Sequence, residues 1–246
     1  VSFSTSSVDR REILLVTSNI TKLVHAIAAR CPNGVLPEDY LVIDVETTGL
    51  PDRSGREEYV TQFGYAVVER RKVTDNYCTL LKTPPGWINP EASRVTGITD
   101  EMIQRDGEDP VVFYRRLIDL FALYRASNCM FVGHNAAKFD APFIEADFEH
   151  NGLDFKFRPD EIIDTGMMFK ASQLFVAPAD NEGLSQFFTR VSNVRSRARW
   201  NLAYTMKTLG LDMTYDIDLS KAHDAAFDCK MTHYLLENLR QRAGLA

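Results

Sequence analysis

The chain has 246 residues, 28 Lys and Arg against 34 Asp and Glu for a formal charge of −6, and 45% hydrophobic residues. That is an ordinary globular composition with enough length for one sizeable core, and its acidity argues against a nucleic-acid binder that works by bulk positive charge. No apolar run reaches a membrane span, and the opening VSFSTSSVDRR lacks a signal peptide's apolar core. A cytoplasmic location with no membrane attachment is the expectation. Opening on Val, the chain is expected to have lost an initiator Met or to be a piece of a longer protein. Cys31, Cys78, Cys129 and Cys229 form no CxxC pair, which argues against a zinc site and fits a reducing compartment.

In chain order, residues 1–8 read as a disordered tail. Ile13, Val16, Ile20, Leu23, Val24 and Ile27 recur at three- and four-residue steps, the spacing of an amphipathic helix that ends near Cys31-Pro32-Asn33-Gly34. Residues 1–38 are therefore read as a tail and helix preceding a main domain of 39–246. Three strands are expected at 41–47, 60–70 and 76–82, the first with the continuous apolar run of a central strand. RVTGITDEMI (94–103) reads as a loop. Residues 109–126 carry Val112, Leu117, Leu120, Phe121 and Tyr124 at helical spacing. CMFVGHN reads as a short buried strand followed by a helix over 137–150, and EIIDT as a fifth strand with a helix after it. Residues 176–200 are read as a flexible basic insertion. Helices are expected at 201–210 and at 224–240, the latter with Met231, Tyr234, Leu235 and Leu239 on one face. Strands first, then strand and helix alternating, predicts an α/β layer fold with a mixed sheet.

YLVIDVETTG (40–49) ends this apolar strand with Asp44 and Glu46, which alternation turns to the same face. Two such anions at ~4 Å repel by about 4 kcal/mol at an effective dielectric of ~20. Hard divalent cations would offset that; a solvated strand end whose acids cap the next turn is the alternative. In VGHNAAKFDAPF, Asp140 falls in the first turns of a helix, where Pro142 is tolerated. In AHDAAFD, His223 precedes Asp228 by five residues, about 140° apart on one helix. His223 is better used from the loop before that helix, with Asp224 as N-cap. A loop histidine beside carboxylates suits a proton acceptor.

DVETTG (44–49), HNAAKFD (134–140) and HDAAFD (223–228), with VTGIT (95–99) and IIDT (162–165), resemble the motifs of the DnaQ-like 3′→5′ exonucleases of the DEDD superfamily, from about Tyr40 to Arg240. His five residues before the last Asp resembles the family's His branch. The resemblance implies an RNase H-like fold, a mixed five-stranded sheet flanked by helices. It implies that Asp44, Glu46, Asp140 and Asp228 hold two Mg²⁺ ions, with Mn²⁺ as a substitute, and that His223 takes the proton of the attacking water. The products would be nucleoside 5′-monophosphates released from a nucleic acid with a free 3′ end. For substrate contacts it implies the backbone at Thr47, an apolar wedge at Leu50, Ile98 on the VTGIT loop, and Phe139. Relatives often carry His where Thr96 stands, and Phe139 could instead be a core aromatic paired with Phe143.

Asp164 reads as a helix N-cap, and His134 and Asn135 as groups that satisfy the turn. His25, His150 and His233 read as ordinary helix residues. Arg190, Arg195, Arg197 and Arg199 with Trp200 could form an arm that grips phosphates and stacks a base, or a solvated basic loop; Arg53 and Arg56 are weaker candidates. DNA, single-stranded or frayed at its 3′ end, is the expected substrate, with RNA as the alternative, because the preference rests on contacts to the 2′-OH. A binding module that lost catalysis is the reading from another class. A polymerase or repair partner is compatible with the stretch 11–30, for which packing on its own domain is the expected use. Dimers are common in the family, and no residue here demonstrates one.

Overall fold

The computed structural model describes residues 10–50 and 56–245, the side chains of 10–18 excepted. The expected tail over 1–8 and Arg53 lie outside the described residues, as do the side chains of the helix positions Ile13 and Val16. A helix, α1 (Arg10–Ala28), leads through a short 3-10 turn into three antiparallel strands, β1 (Tyr40–Thr47), β2 (Val60–Glu69) and β3 (Lys72–Leu80). Two short helices, α2 (Pro90–Thr96) and α3 (Asp100–Asp106), precede α4 (Pro110–Ala126). Then β4 (Met130–Gly133), α5 (Asp140–His150), β5 (Ile162–Asp164) and α6 (Thr165–Leu174) alternate. The chain ends in α7 (Leu184–Asn193), α8 (Leu202–Leu209), α9 (Leu211–Thr214) and α10 (Ala225–Arg242). No helix among the described residues is long and apolar enough to cross a membrane.

The five strands form one sheet in the order β3-β2-β1-β4-β5, antiparallel from β3 to β1 and parallel from β1 to β5. The α/β fold with a mixed five-stranded sheet is as expected. Alternation sends Tyr40 and Val42 of β1 to one face and Leu41, Ile43 and Val45 to the other. The first face packs against α1, α6, α7, α8 and α10, the second against α4 and α5. Ile20, Leu23, Val24 and Ile27 of α1 are buried in the first core. From Ile20 to Ile27 that apolar face is thus used within the domain.

Two stretches differ from the sequence reading. RVTGITDEMI is not a loop: it runs from α2 into α3. Asn89 caps α2 by accepting from the N–H of Glu91, Pro90 occupies its first turn, and Gly97 closes it at φ 75°. Thr99 then caps α3 by accepting from Met102 N–H. Each helix has seven residues, too few for an apolar period to stand out.

Residues 176–200 are not a flexible arm throughout. Leu184, Phe187, Phe188 and Val191 fall at i, i+3, i+4 and i+7 and are buried as one face of α7. Arg190 is held there too, by Glu182 at 2.6 Å and over the Phe187 ring. It is a structural residue and leaves the basic arm.

Candidate active site

β4 pairs with β1 only as far as Val42↔Val132 and ends at Gly133. From Ile43 onward the β4-side edge of β1 therefore lacks a strand neighbour. The Val45 N–H on this stretch is taken by the carboxylate of Asp140, Oδ1 at 2.9 Å. Asp140 is the first residue of α5, so one hydrogen bond fixes the start of that helix against the residue between Asp44 and Glu46.

On the other side, β2 brings α10 in. Asp44 lies opposite Gly64 in the antiparallel register. A Cβ at Gly64 would sit 2.5 Å from the carbonyl carbon of Ala225, the first residue of α10. Only a residue without a side chain lets the helix come this close. Gln62 Oε1 accepts from Ala225 N–H at 2.9 Å, and Asp224 caps the helix through Phe227 N–H, as its position before the last motif predicts.

His223 stands before this cap at φ 72°, exposed, and its N–H donates to Asp228 Oδ2 at 3.2 Å. Its Nδ1 lies 4.0 Å from Glu46 Oε1. One ligand atom each from Glu46, His223 and Asp228 falls within 4.8 Å of the others. Together with Asp44 and Asp140 these residues line one cleft of about 640 Å³ at the carboxyl end of β1, where ligand sites of open α/β sheets lie.

The electrostatics are those of a crowded acid cluster. Burial first, then the charges of Asp140, Asp228 and Glu46, hold Asp44 well above the ordinary carboxylate range. Burial, then the charges of Asp228, Asp140 and Asp224, push Glu46 up to about 8. Asp140 and Asp228 are pushed up to about 7, again mainly by burial, against the backbone N–H groups of Val45 and His223. Asp228 Oδ1 is buried without a hydrogen-bond partner. An all-oxygen carboxylate set with an orphaned buried oxygen and unrelieved repulsion fits a hard divalent cation.

The softer expectations divide. Thr47 and Leu50 line the cleft, Leu50 at 68% exposure. Phe139 lines it as well while packing on Phe143 at 4.7 Å between ring centroids, so a place on the cleft wall and the pairing with Phe143 are compatible. Ile98 does not line it: its side chain is buried behind the α2–α3 corner. From α2 and its approach, Val95, Thr96, Asn89 and Glu91 face the cleft instead. The sequence reading named Thr96 only as the place where relatives carry His and missed Val95, Asn89 and Glu91, because no helix was read over 90–96.

Asp164 caps α6 through Met167 N–H and also accepts from Asn135 and Ala137, which shapes the turn leading to Asp140. His134, at the cleft wall, contacts Thr165 Oγ1 through Nδ1 and the Trp200 carbonyl through Nε2 at 2.6 Å. Burial pushes its pKa down to about 4. His233, read as an ordinary helix residue, is buried against the Tyr40 hydroxyl at 2.8 Å.

With this geometry in hand, comparison with known proteins is decisive at the level of family. The profile of RNase_T, described as exonuclease, matches residues 41–236. The chain belongs to the RNase_T exonuclease family. The resemblance to DnaQ-like 3′→5′ exonucleases is borne out at that level. This exonuclease domain is 29% identical over 122 residues to a DNA polymerase III PolC-type of Mycoplasmopsis pulmonis, covering 50% of the chain and 8% of the relative. It is 26% identical over 215 residues to that of Lacticaseibacillus paracasei, covering 86% and 12%. The chain thus spans about a tenth of the length of these relatives. Among solved structures it is similar to E. coli Exonuclease I in complex with a dT13 oligonucleotide (TM-score 0.62, 19% identity, covering 85% of this chain and 42% of that one). It is also similar to a 3′-exonuclease solved for recognition of a histone mRNA stem-loop (TM-score 0.56, 16% identity, covering 84% and 64%). At these identities the structures support the fold.

Proposed function

We propose that the domain is a divalent-metal-dependent 3′→5′ exonuclease of the His branch, which removes nucleoside 5′-monophosphates from single-stranded or frayed 3′ ends of DNA. The observation that carries this reading is the convergence of Glu46, His223 and Asp228 within 4.8 Å, from a strand end and a helix start brought together by Gly64.

Asp44, Glu46, Asp140 and Asp228 would hold the metal, Mg²⁺ or its substitute Mn²⁺. Bound there, divalent ions supply charge stabilisation for the attacking and leaving oxygens of an in-line displacement. The chain's own groups do the rest. His223 takes the proton of the attacking water. Its Nδ1 lies 4.0 Å from the Glu46 carboxylate, which places the ring beside the acids, and a neutral ring nitrogen is the acceptor. Exposure on a loop lets the ring move as substrate enters. The terminal nucleotide lies between Phe139 and the apolar side chains of Leu50 and Val95, all on the cleft wall.

DNA is the favoured substrate because the relatives that match over the longest stretches are DNA polymerases. A polymerase is the corresponding partner, and proofreading the corresponding task. The test is digestion of 3′- and 5′-labelled single-stranded DNA and RNA oligonucleotides, in Mg²⁺, Mn²⁺ or EDTA, beside Asp44→Ala and His223→Ala. Stepwise, metal-dependent shortening from the 3′ end, lost in both variants, is the expected result, with DNA cut faster. Faster cutting of RNA would make the domain an exoribonuclease. No cutting in either metal would overturn the catalytic reading in favour of a binding module.

A further inference from the structure

The segment between α7 and α8 holds three arginines, Arg195, Arg197 and Arg199, whose side chains the proposed mechanism does not use. Several other arginines are tied up by acids: Arg71, Arg94, Arg116, Arg125 and Arg240 each pair with a glutamate. The guanidinium groups of Arg195, Arg197 and Arg199 are exposed and make no hydrogen bond, ion pair or ring contact among the described residues. Three free cations within five residues, in a protein of net charge −6, are a local reversal of sign.

The backbone that carries them is anchored. Gln173 Nε2 donates to the Arg199 carbonyl at 2.9 Å, and His134 Nε2 donates to the Trp200 carbonyl at 2.6 Å. His134 is itself part of the cleft wall, so the segment's end lies one side chain away from the cleft. Lys170 reaches over the Trp200 ring, 5.7 Å from its centroid. That ring packs partly buried against the first core, which counts against the base-stacking alternative of the sequence reading. Lys138, exposed and one residue before Phe139 of the cleft, adds a further cation near Lys170, whose pKa burial lowers first and the charge of Lys138 second.

We propose that Arg195, Arg197 and Arg199 form a phosphate-binding strap that holds the backbone of the single strand upstream of its 3′-terminal nucleotides as these enter the cleft. This rests on the exonuclease reading above. The strap supplies by position the attraction that the chain's overall charge denies. A backbone contact of this kind is sequence-independent and fixes register. It also has a quantitative signature, since each neutralised phosphate of a single strand contributes about 0.7 to the slope of log K against log salt.

The test is oligonucleotide binding in an Asp44→Asn background, with a 20-nucleotide strand and a dinucleotide, across a salt series. Replacing all three arginines by Gln is expected to lower the salt slope by about 2 for the long strand. That corresponds to roughly hundredfold weaker binding at 0.1 M salt, fading towards 1 M. Replacement by Lys should restore most of the slope, whereas damage to the fold would not be rescued. The dinucleotide, too short to leave the cleft, should bind all variants alike. In the otherwise wild-type chain, the Gln variant should raise KM for the long strand and leave kcat near its starting value. An unchanged salt slope, or equal losses on the dinucleotide, would overturn the strap while leaving the exonuclease reading intact. Absence of cleavage by the wild-type chain would overturn both.

Discussion

The carboxylate of Asp140 accepts the backbone N–H of Val45 at 2.9 Å, so the acid from the second motif is bolted to the residue between the two acids of the first. Asp140 also lines the cleft. The same side chain thereby serves position and charge, and substitutions can separate the two. Asp140→Asn keeps an acceptor for Val45 and removes one anion from a self-repelling set. The expected outcome is a melting temperature equal to or above wild type in EDTA, with metal-dependent cleavage down by about a hundredfold or more. Asp140→Ala also leaves the Val45 N–H unpaired and should cost about 1–3 kcal/mol. Thermal melts beside nuclease assays check both.

The acid cluster predicts an inverted pH dependence of stability without metal. Glu46 is raised to about 8, Asp140 and Asp228 to about 7, all above the ~4 of an unfolded carboxylate. A folded pKa above the unfolded one gives stability that is present below pH ~4 for these groups and is lost as pH climbs through 7 to 8. In EDTA, their contribution therefore falls between pH 4 and 8, and acid unfolding of the rest of the chain is superimposed. Mg²⁺ or Mn²⁺ should raise the melting temperature more at pH 8 than at pH 6, because metal displaces protons from the same oxygens. A metal-induced rise independent of pH would contradict this.

His223 adopts φ 72°, a region that costs a residue with a Cβ and not a glycine. His223→Gly should therefore match or exceed wild-type stability while cleavage falls by about 10²–10⁴-fold, the usual value of a general base. Added imidazole should restore part of the rate to this variant and none to Asp44→Ala. Equal activity in His223→Gly would remove the proton-acceptor role.

Gly64 is the contact point that brings α10 onto the sheet opposite Asp44. In Gly64→Ala the new methyl would meet Ala225 backbone at 2.5–2.6 Å, and the start of α10 must retreat. A stability loss of about 1–3 kcal/mol is expected from the overpacking. Cleavage should fall further than that loss explains, since Asp228 and His223 move with the helix. Denaturant titration and turnover at saturating metal separate the two effects.

The motif DVETTG, with an apolar run before it, determined by itself that two acids share one face of a central strand, because side chains alternate along any strand. HDAAFD likewise placed His223 off the helix and Asp224 at its cap, since five residues span too wide an angle on 3.6 per turn. These are local rules, and the sequence carries them in full. It carried far less of α2, α3 and α7: seven residues hold no readable period, and four arginines drew attention from the apolar face Leu184, Phe187, Phe188 and Val191. Tertiary structure alone decided the rest. That Ile98 turns inward while Val95 meets the cleft depends on the angle between two short helices. That Arg190 is bound and Arg195, Arg197 and Arg199 are free depends on where Glu182 comes to rest. And the four acids become one site only because β4 stops early enough for Asp140 to take the open edge of β1, and because Gly64 has no side chain to hold α10 away.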